Sequence, residues 1–255
     1  MTGANGQLGM CLRKTEKKHS EIDFLFLDSS QLDITNKEKA INIFQDYKPT
    51  YCINAAAFTN VEQAERDPET AFLINAYGVK NLVEVSIMFN TVLIHISTDY
   101  IFDGNKKTPY KVNDIPNPIN QYGKSKLLGE SFVKEYLKNY FIVRTSWLYS
   151  EFGKNFYKTI LEKAVSEEEI FVTDEQKGCP TNANNLAIYI LSLINQKKDF
   201  GTYHFCDGEA MTWFDFATQI LEQNNLKGKV KLVKANNYRT LAARPKNSVL
   251  QIKKQ

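Results

Sequence analysis

Short apolar runs alternate with longer stretches in which apolar residues recur every three or four positions, and this alternation dominates the first 149 residues. The runs at 24–27, 51–54, 92–97 and 141–145 carry almost no polar alternation, which suits parallel strands covered on both faces. Between them the helical spacing holds over 7–19, 37–47, 67–89 and 124–137, with Pro68 at a good first-turn position of the third. Strand and helix in this order predict βαβ units and a doubly wound parallel α/β sheet. After Tyr149 the pattern loosens: helices are predicted at 155–164, 184–195 and 213–223, with short strands at 170–173, 201–205 and 229–233. The chain therefore reads as a first unit over 1–149 and a smaller, dependent lobe over 150–255, with no internal repeat.

Chemistry enters at two places in the first unit. Residues 2–9 read Thr-Gly-Ala-Asn-Gly-Gln-Leu-Gly, so Gly3, Gly6 and Gly9 stand three apart at a strand-to-helix turn. Such glycines permit a tight backbone path and let a pyrophosphate approach the helix N-terminus, as in a Rossmann dinucleotide site. Asp28 closes the run at 24–27, where an acidic residue meets a ribose hydroxyl in such sites. Small side chains at Ala55-Ala-Ala57 suit either a dinucleotide passing close to the backbone or tight strand–helix packing. The second place is Tyr122-Gly-Lys-Ser-Lys126: residues four apart share a helix face, so a lysine ammonium can sit beside a phenol and lower its pKa. A phenol made titratable in this way serves as an acid or base.

Composition narrows the setting without changing the reading. Across 255 residues, 43% hydrophobic and 24% charged content are ordinary for a globular chain, and a net charge of +3 gives no argument for nucleic acid or membrane surface. Cys11, Cys52, Cys179 and Cys206 show neither a C-x-x-C nor a zinc spacing with the three histidines, which predicts reduced, packed thiols. No signal peptide or apolar run long enough for a bilayer is evident, so a cytoplasmic location without membrane association is expected.

Together with these motifs, further blocks span nearly the whole chain: Leu32-Asp-Ile-Thr35, Asn54-Ala-Ala-Ala-Phe-Thr-Asn-Val61 followed by Glu65, Ser97-Thr-Asp-Tyr-Ile-Phe-Asp-Gly104, Arg144-Thr-Ser-Trp147, 176–181 and Arg244-Pro-Lys-Asn-Ser248. Their identity and order resemble the extended short-chain dehydrogenase/reductases, and most closely the dTDP-4-dehydrorhamnose reductases. The resemblance implies an NAD(P)-binding Rossmann domain over 1–149 and a mainly substrate-binding lobe over 150–255. It implies a hydride passed from NADH or NADPH to the C4 ketone of dTDP-4-dehydro-L-rhamnose, with Tyr122 as proton donor, Lys126 holding the nicotinamide ribose and Thr98 bonding the substrate oxygen. Gly3, Gly6, Gln7, Leu8, Asp28, Asp33, Ile34, Ala57, Phe58 and Thr59 match the cofactor positions, and Tyr122 and Lys126 serve there as well. Asp28 would repel a 2′-phosphate and so favours NADH over NADPH.

For the nucleotide-sugar substrate the resemblance implies Thr98, Asp99, Tyr100, Trp147, Gln176, Thr181 and Arg244, with Pro180 in the same block as Gln176. An arginine fork suits a diphosphate, and a surface salt bridge is the other role open to Arg244. Some relatives place magnesium at a dimer contact, but no ligand set in this chain requires it; a homodimer is allowed. Three other readings stay open: reduction of another nucleotide-linked 4-keto-6-deoxy sugar, a non-catalytic regulatory subunit similar to that of methionine adenosyltransferase, and an inactive truncated product. The last rests on the ends. Met1 stands where the family has a complete first strand, and the chain stops soon after Ser248 with Val249-Leu-Gln-Ile252, which suggests a misplaced start, a truncated first strand and an incomplete C-terminal lobe. A missing central strand would leave its neighbours short of hydrogen-bond partners.

Overall fold

The computed structural model describes residues 1–196, 198–235 and 239–252. Four parallel strands, Tyr51–Asn54, Val92–Thr98, Tyr140–Thr145 and Gly201–His204, lie side by side in that order. Thr2 continues the sheet beyond Tyr51–Asn54, bridging Asn54 on one side and Leu27 on the other. Its amide donates to the Ile53 carbonyl (3.0 Å), while Leu27 donates to Met1 (2.9 Å) and Ala4 donates back to Leu27 (3.1 Å). The chain leaves Thr2 towards Leu27 and returns to the opposite side at Asn54, and this reversal makes the crevice where doubly wound sheets bind ligands.

Helices cover both faces. Gln7–Thr15 and Ala183–Asn195 pack together over one face, burying Leu8, Leu12, Ile94, Phe141 and Ile190. Lys37–Tyr47, Val79–Phe89 and Gln121–Tyr136 cover the other, around Leu32, Phe44, Leu82, Leu93 and Ile142. A separate core of Ile160, Ile170, Phe216 and Ile220 joins the helices Phe156–Ser166 and Trp213–Gln223 to the parallel pair Glu169–Val172 and Lys231–Lys234.

Four expectations need correction. The run at 24–27 forms only a single bridge at Leu27, because its neighbour in the sheet is just Met1–Thr2. The first helix ends at Thr15 and tightens into a 3₁₀ turn over Glu16–Lys18. Residues 183–204 do not belong to the smaller lobe: the apolar helix Ala183–Asn195 buries Leu186, Ile190 and Leu191 on the main sheet, and Gly201–His204 pairs with Tyr140–Thr145. Finally, Pro68–Phe89 is 22 residues long and contains an 18-residue window of mean hydropathy 1.2, enough by length and composition to cross a bilayer. Within the fold it contributes Val79, Leu82, Val83 and Val85 to the core. Its middle, Leu73–Gly78, widens into a π turn, and Asp67 caps its start.

A cleft of about 380 Å³, walled among others by Met1, Phe24, Leu25, Tyr51, Cys52 and Ile194, opens at the amino ends of the strands. Thr98, Tyr122 and Lys126 gather at the carboxyl ends, on the far side of the sheet.

Candidate active site

Thr98 is the last residue of its strand, and its hydroxyl caps the short turn Asp99–Ile101 by accepting from the Tyr100 amide (3.1 Å). The same hydroxyl donates to Asp99 Oδ1 (3.1 Å) and is hydrogen-bonded to the Tyr122 hydroxyl. A threonine carries one proton, so Asp99 and Tyr122 compete for it. Tyr122 arrives there on the helix Gln121–Tyr136. Asn120 caps that helix through the Gly123 amide (2.7 Å) and donates to the Ala243 carbonyl (2.8 Å), while Glu65 accepts from the Gln121 amide (2.7 Å). The Tyr100 ring meets Tyr122 edge-on, with centroids 6.0 Å apart. Thr98, Tyr122 and Lys126 are thus brought together at one sheet edge.

Lys126 is buried, and its ammonium donates to the Ile96 carbonyl at 2.6 Å. Burial brings its pKa down to about 8, against the pull of the Glu130 carboxylate. Burial also pushes the half-buried Tyr122 phenol above its ordinary value, only partly offset by Thr98. The Lys126 ammonium is turned to the backbone, and desolvation dominates the phenol. The consequence is a tyrosine that holds its proton at neutral pH. Asp99, also buried, is pushed up to about 6 by desolvation despite hydrogen bonds from Ser248 and Thr98.

The dinucleotide positions form a cradle. Gly3 has φ +67, and a Cβ there would stand 2.7 Å from the backbone of Ala55 and Ala56, so only glycine lets the two turns approach. The helix Gln7–Thr15 starts at Gly6 with no side-chain cap and no acidic residue in its first turn. By contrast, side chains cap the starts of Lys37–Tyr47, Val61–Arg66, Gln121–Tyr136 and Trp213–Gln223. Free amides at a positive helix end fit a pyrophosphate. Asp28 accepts from Asn5 (2.8 Å), the Ser30 amide and hydroxyl, and the Gln31 amide, which hold its carboxyl below the usual range. Asp33 is exposed and accepts from the Thr35 amide (2.9 Å), while Ile34 is buried beneath it.

Two cofactor positions play other parts. Leu8 is buried in the core, leaving only its backbone for a ligand. Gln7 reaches across to the smaller lobe, where its Oε1 accepts from Ser150 (3.1 Å) and Asn155 (2.9 Å). Asn75, on the π turn, escaped the sequence reading. Its amide accepts from Phe58 N (2.8 Å) and donates to Phe58 O (3.0 Å) and Ser125 Oγ (3.0 Å), and Ser125 donates to the Tyr122 carbonyl (2.8 Å). One buried amide therefore ties the Ala57–Phe58–Thr59 loop to the catalytic helix. Its only sequence signal is a polar residue inside an apolar helical stretch.

The substrate positions divide. Trp147, half-buried with φ 46, stacks on Trp213, whose indole donates to Gln176 (3.1 Å). Trp213 was missed because it opens a helix that reads as ordinary core. Arg244 donates to Glu62 (3.0 Å) and hydrogen-bonds Tyr100, placing it beside the catalytic turn. Asp99 and Thr181 are buried, Thr181 accepting from Thr145 (3.2 Å); they shape the walls of the site. The four cysteines are free and buried, and among the described residues no group of three or more His, Cys, Asp or Glu could hold a metal ion.

Residues 1–255 match the family described as the RmlD substrate binding domain. A dTDP-4-dehydrorhamnose reductase of Aggregatibacter actinomycetemcomitans is 39% identical over 265 residues, spanning 100% of this chain and 90% of that protein. The solved dTDP-4-dehydrorhamnose reductase of Bacillus anthracis, in complex with NADP, is similar with TM-score 0.95 at 41% identity, over 99% of this chain and 89% of its own. A Clostridium acetobutylicum dTDP-4-dehydrorhamnose reductase follows with TM-score 0.93 at 39% identity, over 98% and 88% of the two chains.

Proposed function

Because this chain belongs to the dTDP-4-dehydrorhamnose reductase family of NAD(P)-dependent oxidoreductases, we propose that it reduces the C4 ketone of dTDP-4-dehydro-L-rhamnose to give dTDP-L-rhamnose in the cytoplasm. The observation that carries this reading is the hydrogen-bonded Thr98–Tyr122 pair at the sheet edge, one helical turn from the buried Lys126.

A bound NADH or NADPH supplies the hydride. Its pyrophosphate would lie at the uncapped start of Gln7–Thr15, against Gly3 and Gly6, with a ribose towards Asp28. Reduction turns the ketone oxygen into an alkoxide, a far stronger base than a phenolate. Tyr122, protonated because burial raises its pKa, delivers the proton. Thr98 donates a hydrogen bond to the same oxygen, stabilising the charge as it develops. Lys126 would hold the nicotinamide ribose, its charge only weakly offsetting the phenolate left on Tyr122. Trp147 and Trp213 offer an aromatic wall to the sugar, and Arg244 a cation to the diphosphate.

The test is oxidation of NADH and NADPH by the purified protein with dTDP-4-dehydro-L-rhamnose. Turnover is expected, with Tyr122→Phe lowering kcat by roughly 10²–10⁴-fold while NADPH binding persists. A folded wild-type protein that binds NADPH but leaves this ketone and other nucleotide-linked 4-keto-6-deoxy sugars untouched would sink the reading. Stable co-purification with a methionine adenosyltransferase subunit, without ketone reduction, would favour a regulatory role.

A further inference from the structure

Tyr122, Lys126, Glu130 and Lys134 stand at four-residue intervals along one edge of the helix Gln121–Tyr136. Glu130 is fully buried, yet its carboxylate is surrounded by donors. It accepts from Arg144 Nε (2.8 Å) and Nη2 (2.7 Å) and from the Lys134 ammonium (2.9 Å). Arg144 stands on the central strand Tyr140–Thr145, so the sheet itself supplies the guanidinium of this carboxylate site. Desolvation opposes ionisation, but the Arg144 hydrogen bonds and charge, helped by Lys134, hold the carboxyl at about 2.

A fixed anion is thus buried one helical turn below a buried lysine. The other charged or titratable groups on the elements packed around Lys126 can be named. Its own helix carries Tyr122 and, exposed on its outer side, Lys124, Lys134, Glu135 and Tyr136. The strand Val92–Thr98 and the turn after it bring His95, Asp99 and Tyr100; Tyr140–Thr145 brings Tyr140 and Arg144, and Gly201–His204 brings Tyr203 and His204. Burial and the Lys126 charge keep His95 well below its ordinary pKa, so it supplies no balancing charge. On the helices packed outside, Glu62 pairs with Arg244, Glu65 takes the Gln121 amide, Glu84 pairs with Lys37, and Lys80 lies over the Phe132 ring. Glu130 is the anion that stabilises the Lys126 charge.

We propose that Glu130 is a positioning residue, whose Arg144-held carboxylate keeps the buried Lys126 ammonium protonated across neutral pH. The catalytic consequence rests on the reductase reading; the charge coupling itself does not. In the reductase, Lys126 must be a cation when Tyr122 gives up its proton, so loss of the Glu130 charge moves the alkaline limb of kcat to lower pH.

The experiment titrates the Lys126 side chain by NMR in lysine-¹³Cε-labelled protein, its signal assigned by its loss in Lys126→Met, alongside pH profiles of kcat. In Glu130→Gln, Lys126 is expected to release its proton at least tenfold more readily, about one pH unit lower, with the alkaline limb of kcat following. Glu130→Asp restores most of the shift. Removing one partner of a buried ion pair threatens folding, so the double variant Glu130→Gln/Arg144→Met, which removes the buried Arg144 charge with its partner and frees only the partly exposed Lys134, is measured too. There Lys126 should titrate between wild type and the single variant. A Lys126 titration unmoved in a folded Glu130→Gln or double variant overturns the proposal. Absence of ketone reduction by wild type would defeat the reductase reading, while the NMR titration would still decide the coupling.

Discussion

The Trp147 indole lies flat on Trp213, with ring centroids 3.5 Å apart and planes within 9° of parallel. Trp147 adopts φ 46, a left-handed backbone that costs a bulky residue on the order of 1–3 kcal/mol. Two contacts hold it there besides the stack: its carbonyl accepts from the Thr181 amide (3.2 Å), and Gly178 lies under the ring. A Cβ at Gly178 would stand 2.5 Å from Trp147 Cε2, too close without displacing the indole. Gly178→Ala is therefore expected to raise KM for the nucleotide sugar roughly tenfold, with a smaller effect on kcat and none on cofactor affinity, because it moves a wall of the proposed sugar site and leaves Tyr122 in place. Steady-state kinetics and tryptophan fluorescence check this together. A disturbed fluorescence with unchanged KM would place the sugar elsewhere.

A second glycine sets the proton donor. The helix Gln121–Tyr136 presses so closely on the turn after Thr98 that a Cβ at Gly123 would meet the Tyr100 carbonyl oxygen at 2.1 Å. In Gly123→Ala the helix must retreat, carrying Tyr122 away from Thr98. Displacements of about 1 Å at a reacting centre cost on the order of 10²-fold in rate, so kcat should fall by about that factor while NADPH still binds. Overpacking should also lower stability by about 1–3 kcal/mol. A variant with normal kcat would show that the proton does not come from Tyr122 in this position.

Cofactor choice is expected to depend on Asp28. Its carboxylate is tied into its own turn by Ser30 and Gln31 and kept ionised, placing a fixed negative charge where the adenosine ribose is expected. A 2′-phosphate brought near it is repelled, weakly because the site is open to water and salt. Asp28→Ser is expected to improve kcat/KM for NADPH relative to NADH by roughly tenfold at low salt, the difference shrinking as ionic strength rises. The ratio of the two specificity constants, measured across salt, is the check; a ratio indifferent to the substitution would remove Asp28 from the ribose site.

Much of this architecture could be read from the chain because it rests on short-range rules. The helix at Lys37–Tyr47 and the strand at Tyr51–Asn54 fall where periodicity places them, since each buries a contiguous apolar face. What escaped depends on partners far along the chain. Leu27 fails to extend into a strand because of how little of the sheet lies beside it, and Gly201–His204 joins the main sheet through pairing with Tyr140–Thr145, which no local pattern announces. In the site, the Tyr122–Lys126 spacing was legible, but the direction of the Tyr122 pKa was not, because spacing says nothing about desolvation. Asn75, Glu62 and Trp213 acquire their roles only through contacts with Phe58, Arg244 and Trp147.

Asp99 links the site to stability. Burial raises its carboxyl from an ordinary 3.8 to about 6, even with Ser248 and Thr98 bonded to it. A carboxyl whose folded pKa is raised contributes stability that is fully present below about 4 and lost as pH rises through about 6. A shift of this size amounts to about 3 kcal/mol held in acid and given up at neutral pH, where the native state carries a desolvated anion. Asp99→Asn cannot ionise, and its amide oxygen can still accept from Thr98 and Ser248. Near pH 4 the variant and wild type should melt together, and by pH 7 the variant should melt roughly 5–10 °C higher. Thermal melts of both proteins from pH 4 to pH 8 decide the matter: curves that stay parallel would mean that Asp99 ionises as freely in the folded chain as in the unfolded one.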